Sequence, residues 1–242
     1  MVVPHSQTPL IRRPMPSELP ILADLHVDCL PHGLFPRLGR RFMRRWYATF
    51  LDSPYGVALV AESPLPGDPG VVAFLVGATD QHRHVSSVLA RHRLRLVLAG
   101  AAALSVRPGL LWHFLRTRAG RYAVRVLRPR PPSPEGRGDL GPTRPIAVVT
   151  AIVVAGPARN LGTGTALVRA FAAAASAAGS DRAELVTLVG TEGAGRFYER
   201  LGWAAVETHR TRDGDLVATY RVDLSAHWLA RAERSPQLGR RP

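Results

Sequence analysis

A chain of 242 residues with a formal net charge of +14 and one cysteine is long enough to bury a sizeable core without disulfide staples. Cys29 alone permits neither an internal disulfide nor a cysteine-rich zinc cluster, which points to a reducing compartment, the cytoplasm. All 32 basic residues are arginine, so chemistry that needs a lysine Schiff base is excluded.

The charge invites a nucleic-acid reading, because clustered cations gain affinity by releasing counterions from phosphates. The missing lysine, together with abundant Ala, Gly and Pro, is instead the usage of a GC-rich coding sequence. A basic run is usually a solvated face. An anionic substrate or acidic partner therefore ranks ahead of nucleic acid. The opening MVVPHSQTPLIRRPMP carries prolines where a secretory signal needs an unbroken apolar core. The most apolar stretch, residues 94–106, is shorter than the roughly 18 to 20 residues that cross a bilayer and contains Arg95, so no transmembrane segment is expected.

In chain order, residues 8–16 predict a short edge strand and residues 17–30 a helix. Over 35–54, Leu38, Phe42, Trp46 and Phe50 recur every four residues, an amphipathic helix with an arginine face that ends at Pro54. Valine-rich runs at 55–62 and 71–80 predict a hairpin with a longer loop. Residues 81–130 are helical in pattern, with a break at Pro108 and Gly109, and 128–145 read as a Pro/Gly-rich linker. IAVVTAIVV, residues 146–154, is the continuous β-branched run of a strand covered on both faces. A loop, a small-residue helix ended by Gly179, a strand at 184–190, a short helix closed by Gly202 and strands at 204–211 and 216–224 follow. Four regions result: 1–80, the helical arginine-rich 81–145, a core at 146–224, and a tail at 225–242.

The loop after residue 154 carries chemistry. Gly162 and Gly164 let a ligand approach the main chain, and the following helix start offers unpaired N–H groups that favour an anion, phosphate above all. Arg159 adds fixed charge, and Thr163 and Thr165 offer hydroxyls, so a diphosphate suits the loop better than a carboxylate. A tight turn alone would also use these glycines. A dinucleotide fold fits poorly, since position 167 is leucine where its third glycine or alanine belongs.

Arg159, Asn160, Leu161, Gly162, Thr163, Gly164, followed at a distance by Phe197, Tyr198, Gly202 and Trp203, give residues 146–222 a pattern that resembles the GNAT superfamily of acetyl-CoA-dependent acyltransferases. The resemblance implies an α/β (α+β) fold, a mixed and mostly antiparallel twisted sheet flanked by helices, here with a helical insertion between the third and fourth strands. It implies acetyl-CoA as co-substrate and no metal. Main-chain groups of Ile152, Val153 and Val154, at a strand bulge, would pair with the pantetheine arm. Asn160 to Thr165 would cradle the pyrophosphate, Phe197 would pack beside the cofactor, and Tyr198 would protonate the leaving thiolate.

Two positions depart from the family pattern. Thr191 stands where relatives often have a cofactor-holding asparagine, and residues 146–154 contain no carboxylate or histidine to serve as base. Asp80, at the end of the second hairpin strand, is the candidate base, with Glu62 behind it; the alternative for Asp80 is an ordinary strand-end carboxylate. His26, His32, His82 and His84 have no metal spacing. The acceptor side is expected to use the first helices and the insertion, whose Arg83, Arg91, Arg93, Arg95, Arg116, Arg118 and Arg121 suit an anionic small-molecule amine or a carrier-protein surface. Whether the insertion is a lid, a homodimer contact or a membrane-surface element stays open. So does the alternative of a non-catalytic module that binds CoA or nucleic acid.

Overall fold

The computed structural model describes residues 9–63, 70–117, 144–190, 194–211, 213–225 and 228. In chain order the elements are β1 (Ile11–Arg12), α1 (Leu19–Cys29), α2 (Leu34–Arg37), α3 (Arg40–Asp52), β2 (Gly56–Glu62), β3 (Val71–Ala78), α4 (Gln81–Ser105), α5 (Pro108–Thr117), β4 (Ile146–Val154), α6 (Thr163–Ala177), β5 (Arg182–Leu188), α7 (Ala194–Arg200), β6 (Ala204–Arg210) and β7 (Leu216–Asp223). The strands form one sheet in the order β1-β2-β3-β4-β5-β7-β6. Its neighbours are antiparallel except β4 and β5, which run parallel. This is the expected mixed sheet, with α4 and α5 inserted between the third and fourth strands.

Local chemistry moves several predicted boundaries. The helix predicted over 35–54 is two, because Gly39 adopts φ 90 ahead of α3. The break near Pro108 is a helix start: the proline opens α5, where its missing N–H costs nothing. α6 begins at Thr163, directly after Gly162 in the left-handed region. The predicted residues 118–143, most of the linker, and nearly all of the tail lie outside the described residues.

The sheet separates two cores. Ala73 and Leu75 of β3 lie with Leu167, Val168 and Phe171 under α6, while Phe74 and Val76 face the helices α1 to α4. β4 changes sides partway. Ala147 and Val149 belong to the α6 core, whereas Ala151 and Val153 belong to the helical one. The cause is a bulge: Val76 pairs with Ala151 and Gly77 with Val149, leaving Thr150 unpaired, and one extra residue reverses which face each later side chain occupies. A Cβ on Gly77 would lie 2.6 Å from the Phe171 ring and 2.5 Å from the Val148 carbonyl, so only glycine lets α6 settle over the bulge. The bulge therefore sits two residues before the 152–154 segment that was expected to hold it.

The opposite edge is tied down by charge. Arg12 donates to Glu62 at 2.7 Å and to both oxygens of Glu18 at 2.8 and 2.6 Å, joining β1 and β2 to the start of α1. The bonds from Arg12 hold the Glu18 carboxyl below its ordinary range. Glu62 is thus a partner of Arg12.

Candidate functional site

β4 and β5 are paired only from Ile146–Arg182 to Val149–Leu185. Beyond the bulge, β4 keeps β3 as its partner while Val186 to Leu188 keep β7, so the two parallel strands splay and leave a strand edge of β4 open. The ladder decides which groups face the opening. The Ala155 N–H bonds Val72 O at 2.9 Å, and in an antiparallel ladder the main-chain groups alternate. Val153 therefore turns its groups toward β3, while Ile152 and Val154 turn theirs to the opening. Of the three residues predicted to pair with an extended ligand, Ile152 and Val154 have the geometry. The Val154 carbonyl already accepts from Arg159 Nε at 3.1 Å.

The loop continues from that edge. Asn160 adopts φ 63 and Gly162 φ 82, two left-handed positions that swing the chain into α6. The first bond of the helix runs from Ala166 N–H to Gly162 O at 2.9 Å, so the N–H groups of Thr163, Gly164 and Thr165 have no partner within the helix. Thr163 is 1% exposed, and among the described residues its Oγ1 has no hydrogen-bond partner. Leu161 is exposed and Thr165 half-buried. A Cβ on Gly164 would lie 3.3 Å from Phe197 Cζ and 3.6 Å from Val154 Cγ2. Gly164 thus brings the loop, the strand edge and the second motif into one place. Thr191 lies outside the described residues.

The second motif is a helix end folded back on itself. Gly202, at φ 83, lets Gly202 N–H bond Glu199 O and Trp203 N–H bond Tyr198 O at 2.9 and 3.0 Å. Trp203 and Tyr198 are both buried, with ring centroids 5.9 Å apart. Tyr198 also packs on Phe197 at 5.0 Å and Tyr220 at 5.8 Å. Burial pushes its phenol well above the ordinary range, so it stays protonated at neutral pH. Tyr220 donates its hydroxyl to Glu199 Oε1 at 3.2 Å.

Asp80 is corrected. Ala78 pairs with Val148, so Asp80 does lie level with the start of β4 as expected. Its carboxylate, however, caps α4: Oδ1 accepts from Arg83 N–H at 3.0 Å, and Oδ2 lies 3.5 Å from Arg83 Nε. Three residues of strand span about 10 Å, which separates it from the apex of the splay. The structural role fits it better than the chemical one.

The histidines do not converge. His26 is buried and bonded through Nδ1 to the Tyr47 hydroxyl, His84 is buried and stacked on Phe50, and His32 and His82 are exposed. Among the described residues no group of three or more His, Cys, Asp or Glu is placed to hold a metal ion. None of the described helices is long and apolar enough to cross a membrane. Of the arginines proposed for an acceptor, Arg83 belongs to Asp80 and lies over the Tyr55 ring, while Arg91, Arg93 and Arg95 lie on the outside of α4. Arg116 is on α5, and Arg118 and Arg121 fall outside the described residues. The signal that could have located the bulge is Thr150 itself, the one polar residue in IAVVTAIVV and the exposed position of the strand.

Residues 98–203 match the family described as the acetyltransferase (GNAT) family. No curated protein matches the chain by sequence. Its fold is shared with the ribosomal-protein-S18-alanine N-acetyltransferase of Escherichia coli, at TM-score 0.52 and 12% identity over 90% of this chain and 95% of that one. It is also shared with Arabidopsis thaliana NAA60, solved with acetyl-CoA, at TM-score 0.53 and 13% identity over 89% of this chain and 98% of that one. An N-acetyltransferase from Staphylococcus aureus Mu50 matches at TM-score 0.53 and 13% identity over 90% of this chain and 99% of that one. The family match over residues 98–203 and the shared fold agree: the chain is similar to acetyltransferases of the GNAT family.

Proposed function

We propose that the protein transfers the acetyl group of acetyl-CoA to a primary amine of a small molecule, such as an amino sugar, an antibiotic or another specialised metabolite, by direct attack in a ternary complex. The observation that carries this reading is the open β4 edge running without interruption into the glycine loop and the unpaired N–H groups of α6. An extended, amide-bearing arm suits the edge, and a diphosphate suits the helix start. Gly164 supports the fit, because its lack of a side chain lets the loop lie close to Phe197, where a Cβ would come within 3.3 Å of the ring. The orphaned, buried Thr163 hydroxyl supports it too, since a buried polar group without a partner is costly.

Acetyl-CoA brings a thioester already activated for acyl transfer. The protein's share is to hold a neutral amine in line with the carbonyl and to shield the reacting atoms from water. Unpaired main-chain donors beside the bulge would stabilise developing charge on the carbonyl oxygen. Tyr198 would donate to the departing sulfur; its burial keeps the proton on the phenol, so it acts first as a hydrogen-bond donor and gives up the proton only as thiolate charge develops. With no carboxylate or histidine on β4 and Asp80 engaged as a cap, the amine loses its proton through water or arrives neutral.

Free-thiol release from acetyl-CoA, measured with amino sugars, amino acids, polyamines and aminoglycosides, tests the reading. Turnover above hydrolysis with at least one amine is expected. CoA binding without any turnover would leave a non-catalytic module. In Tyr198→Phe, kcat should fall about a hundredfold with acetyl-CoA affinity held within about twofold; unchanged turnover removes Tyr198 from its role.

A further inference from the structure

We infer that a cationic cavity between α2 and α5 selects the acceptor, holding a phosphate or carboxylate group on the same molecule that bears the reacting amine. This rests on the acetyl-transfer reading above and names the substrate class it leaves open. The cavity, of about 430 Å³, is lined by Arg37, Arg107, Gly109, Leu110 and His113. It is a shallow groove, open to solvent.

Its lining is tied to both arms of the splay through intervening elements. On one side, Arg37 ends α2, which packs with α1, and α1 packs on β3 and β4. On the other, His113 Nε2 lies 3.0 Å from Asp213 Oδ1 in the turn between β6 and β7, and β7 is bonded to β5 as far as Leu188–Val217 at the open end. The cavity's walls belong to the face that receives Ala151 and Val153, across the sheet from α6 and its phosphate loop. A donor held by the loop and an acceptor held by the cavity would meet from opposite faces.

The charge in the cavity is anchored by main-chain carbonyls. Arg107 Nη1 donates to Ala103 O at 3.0 Å and to Leu38 O at 3.4 Å. Carbonyls fix the guanidinium in place, and among the described residues no carboxylate pairs with it. Its Nη2 would lie 3.1 Å from a Cβ on Gly39, so glycine there makes room for it. Among the described residues Arg37 has no carboxylate partner, and Asp213 is engaged with His113. Two guanidiniums in one concavity give an anion charge-assisted, bidentate bonding. A neutral amine gains nothing from them, and a polyamine or aminoglycoside is repelled.

The test pairs acceptors that differ only in the anion: O-phosphoethanolamine against ethanolamine, glucosamine 6-phosphate against glucosamine, and β-alanine against propylamine. The anionic members should have KM at least tenfold lower, and the phosphate and carboxylate pairs show which anion is preferred. Arg37→Gln should raise KM about tenfold for the anionic members only, leaving their kcat, the neutral amines and the KM of acetyl-CoA within about twofold; Arg37→Lys should restore part of the loss. Equal KM values across each pair, or equal effects of Arg37→Gln on both members, overturn the inference. Because Arg107 also stitches a corner of the fold, Arg37 decides. Calorimetric titration of O-phosphoethanolamine, glucosamine 6-phosphate and β-alanine into CoA-saturated protein reads the cavity without turnover. Binding lost in Arg37→Gln, with no amine acetylated, keeps the cavity and sinks the transfer reading. Turnover without anion preference does the reverse.

Discussion

The two faces of the sheet are built from the same apolar residue types yet hold different things. Under α6 lie Leu167, Val168, Phe171, Ala172 and Ala175, continuous with Tyr198, Trp203 and Tyr220. Under α1 to α4 the core also encloses His26, His84, Glu18 and Thr49. The first face supports a site made chiefly of main-chain groups, with phenols, Tyr198 and Tyr220, as its titratable members; burial favours their neutral form, which acid does not disturb. The second carries titratable groups that packing must keep in one protonation state. Acid should therefore attack the helical face first.

That difference gives the largest expected effect. Burial lowers both His26 and His84 from 6.5 to about 4. Between those values the unfolded chain binds protons that the folded one refuses, so stability is complete above about pH 6.5 and is lost as pH falls toward 4. At pH 5 each histidine should cost about 2 kcal/mol, or about 4 kcal/mol for the pair. Glu18, whose carboxyl is held low by Arg12, adds its loss only further into acid. Urea midpoints at pH 7 and pH 5 measure the drop, and His84→Phe, which keeps the stack on Phe50, should remove about half of it. A midpoint that does not move would show that neither histidine is held neutral.

The same contrast explains what could be read from the residues alone. A loop that works through its main chain needs glycines at fixed places, so Gly162, Gly164 and Gly202 exposed the site in the sequence. Side-chain partnerships on the other face leave no such trace. Nothing in the spacing of His26 and Tyr47, or of His113 and Asp213, foretells that they meet, because each pair joins elements brought together only by the fold. Asp80 shows the converse: its level in the sheet followed from strand order, but its role as a cap depended on α4 starting at the next residue. The bulge at Thr150 left one trace, a threonine in an otherwise apolar run, but a single threonine is common in strands and does not by itself mark a change of register.

A second experiment sharpens the comparison on the phosphate-loop face. In Gly164→Val, the Cβ alone would sit 3.3 Å from the Phe197 ring, and the two γ-methyls would fill the space where loop, strand edge and α7 converge. Acetyl-CoA affinity should fall about a hundredfold, about 2.7 kcal/mol, by calorimetric titration. Affinity held within about threefold would mean that the loop does not cradle the phosphates.

The smallest effect separates structure from chemistry at Asp80. Asparagine caps a helix about as well as aspartate, whereas alanine does not. Asp80→Asn should therefore leave the urea midpoint unchanged and kcat within about twofold of the parent, while Asp80→Ala should cost about 1 kcal/mol of stability through loss of the bond from Arg83 N–H. A base would behave in the opposite way: asparagine cannot take a proton, so kcat would fall in both variants and the acidic limb of its pH profile would disappear. If Asp80→Asn lowers kcat by tenfold or more at an unchanged midpoint, Asp80 returns as the base, and α4 must move for its carboxylate to reach the amine.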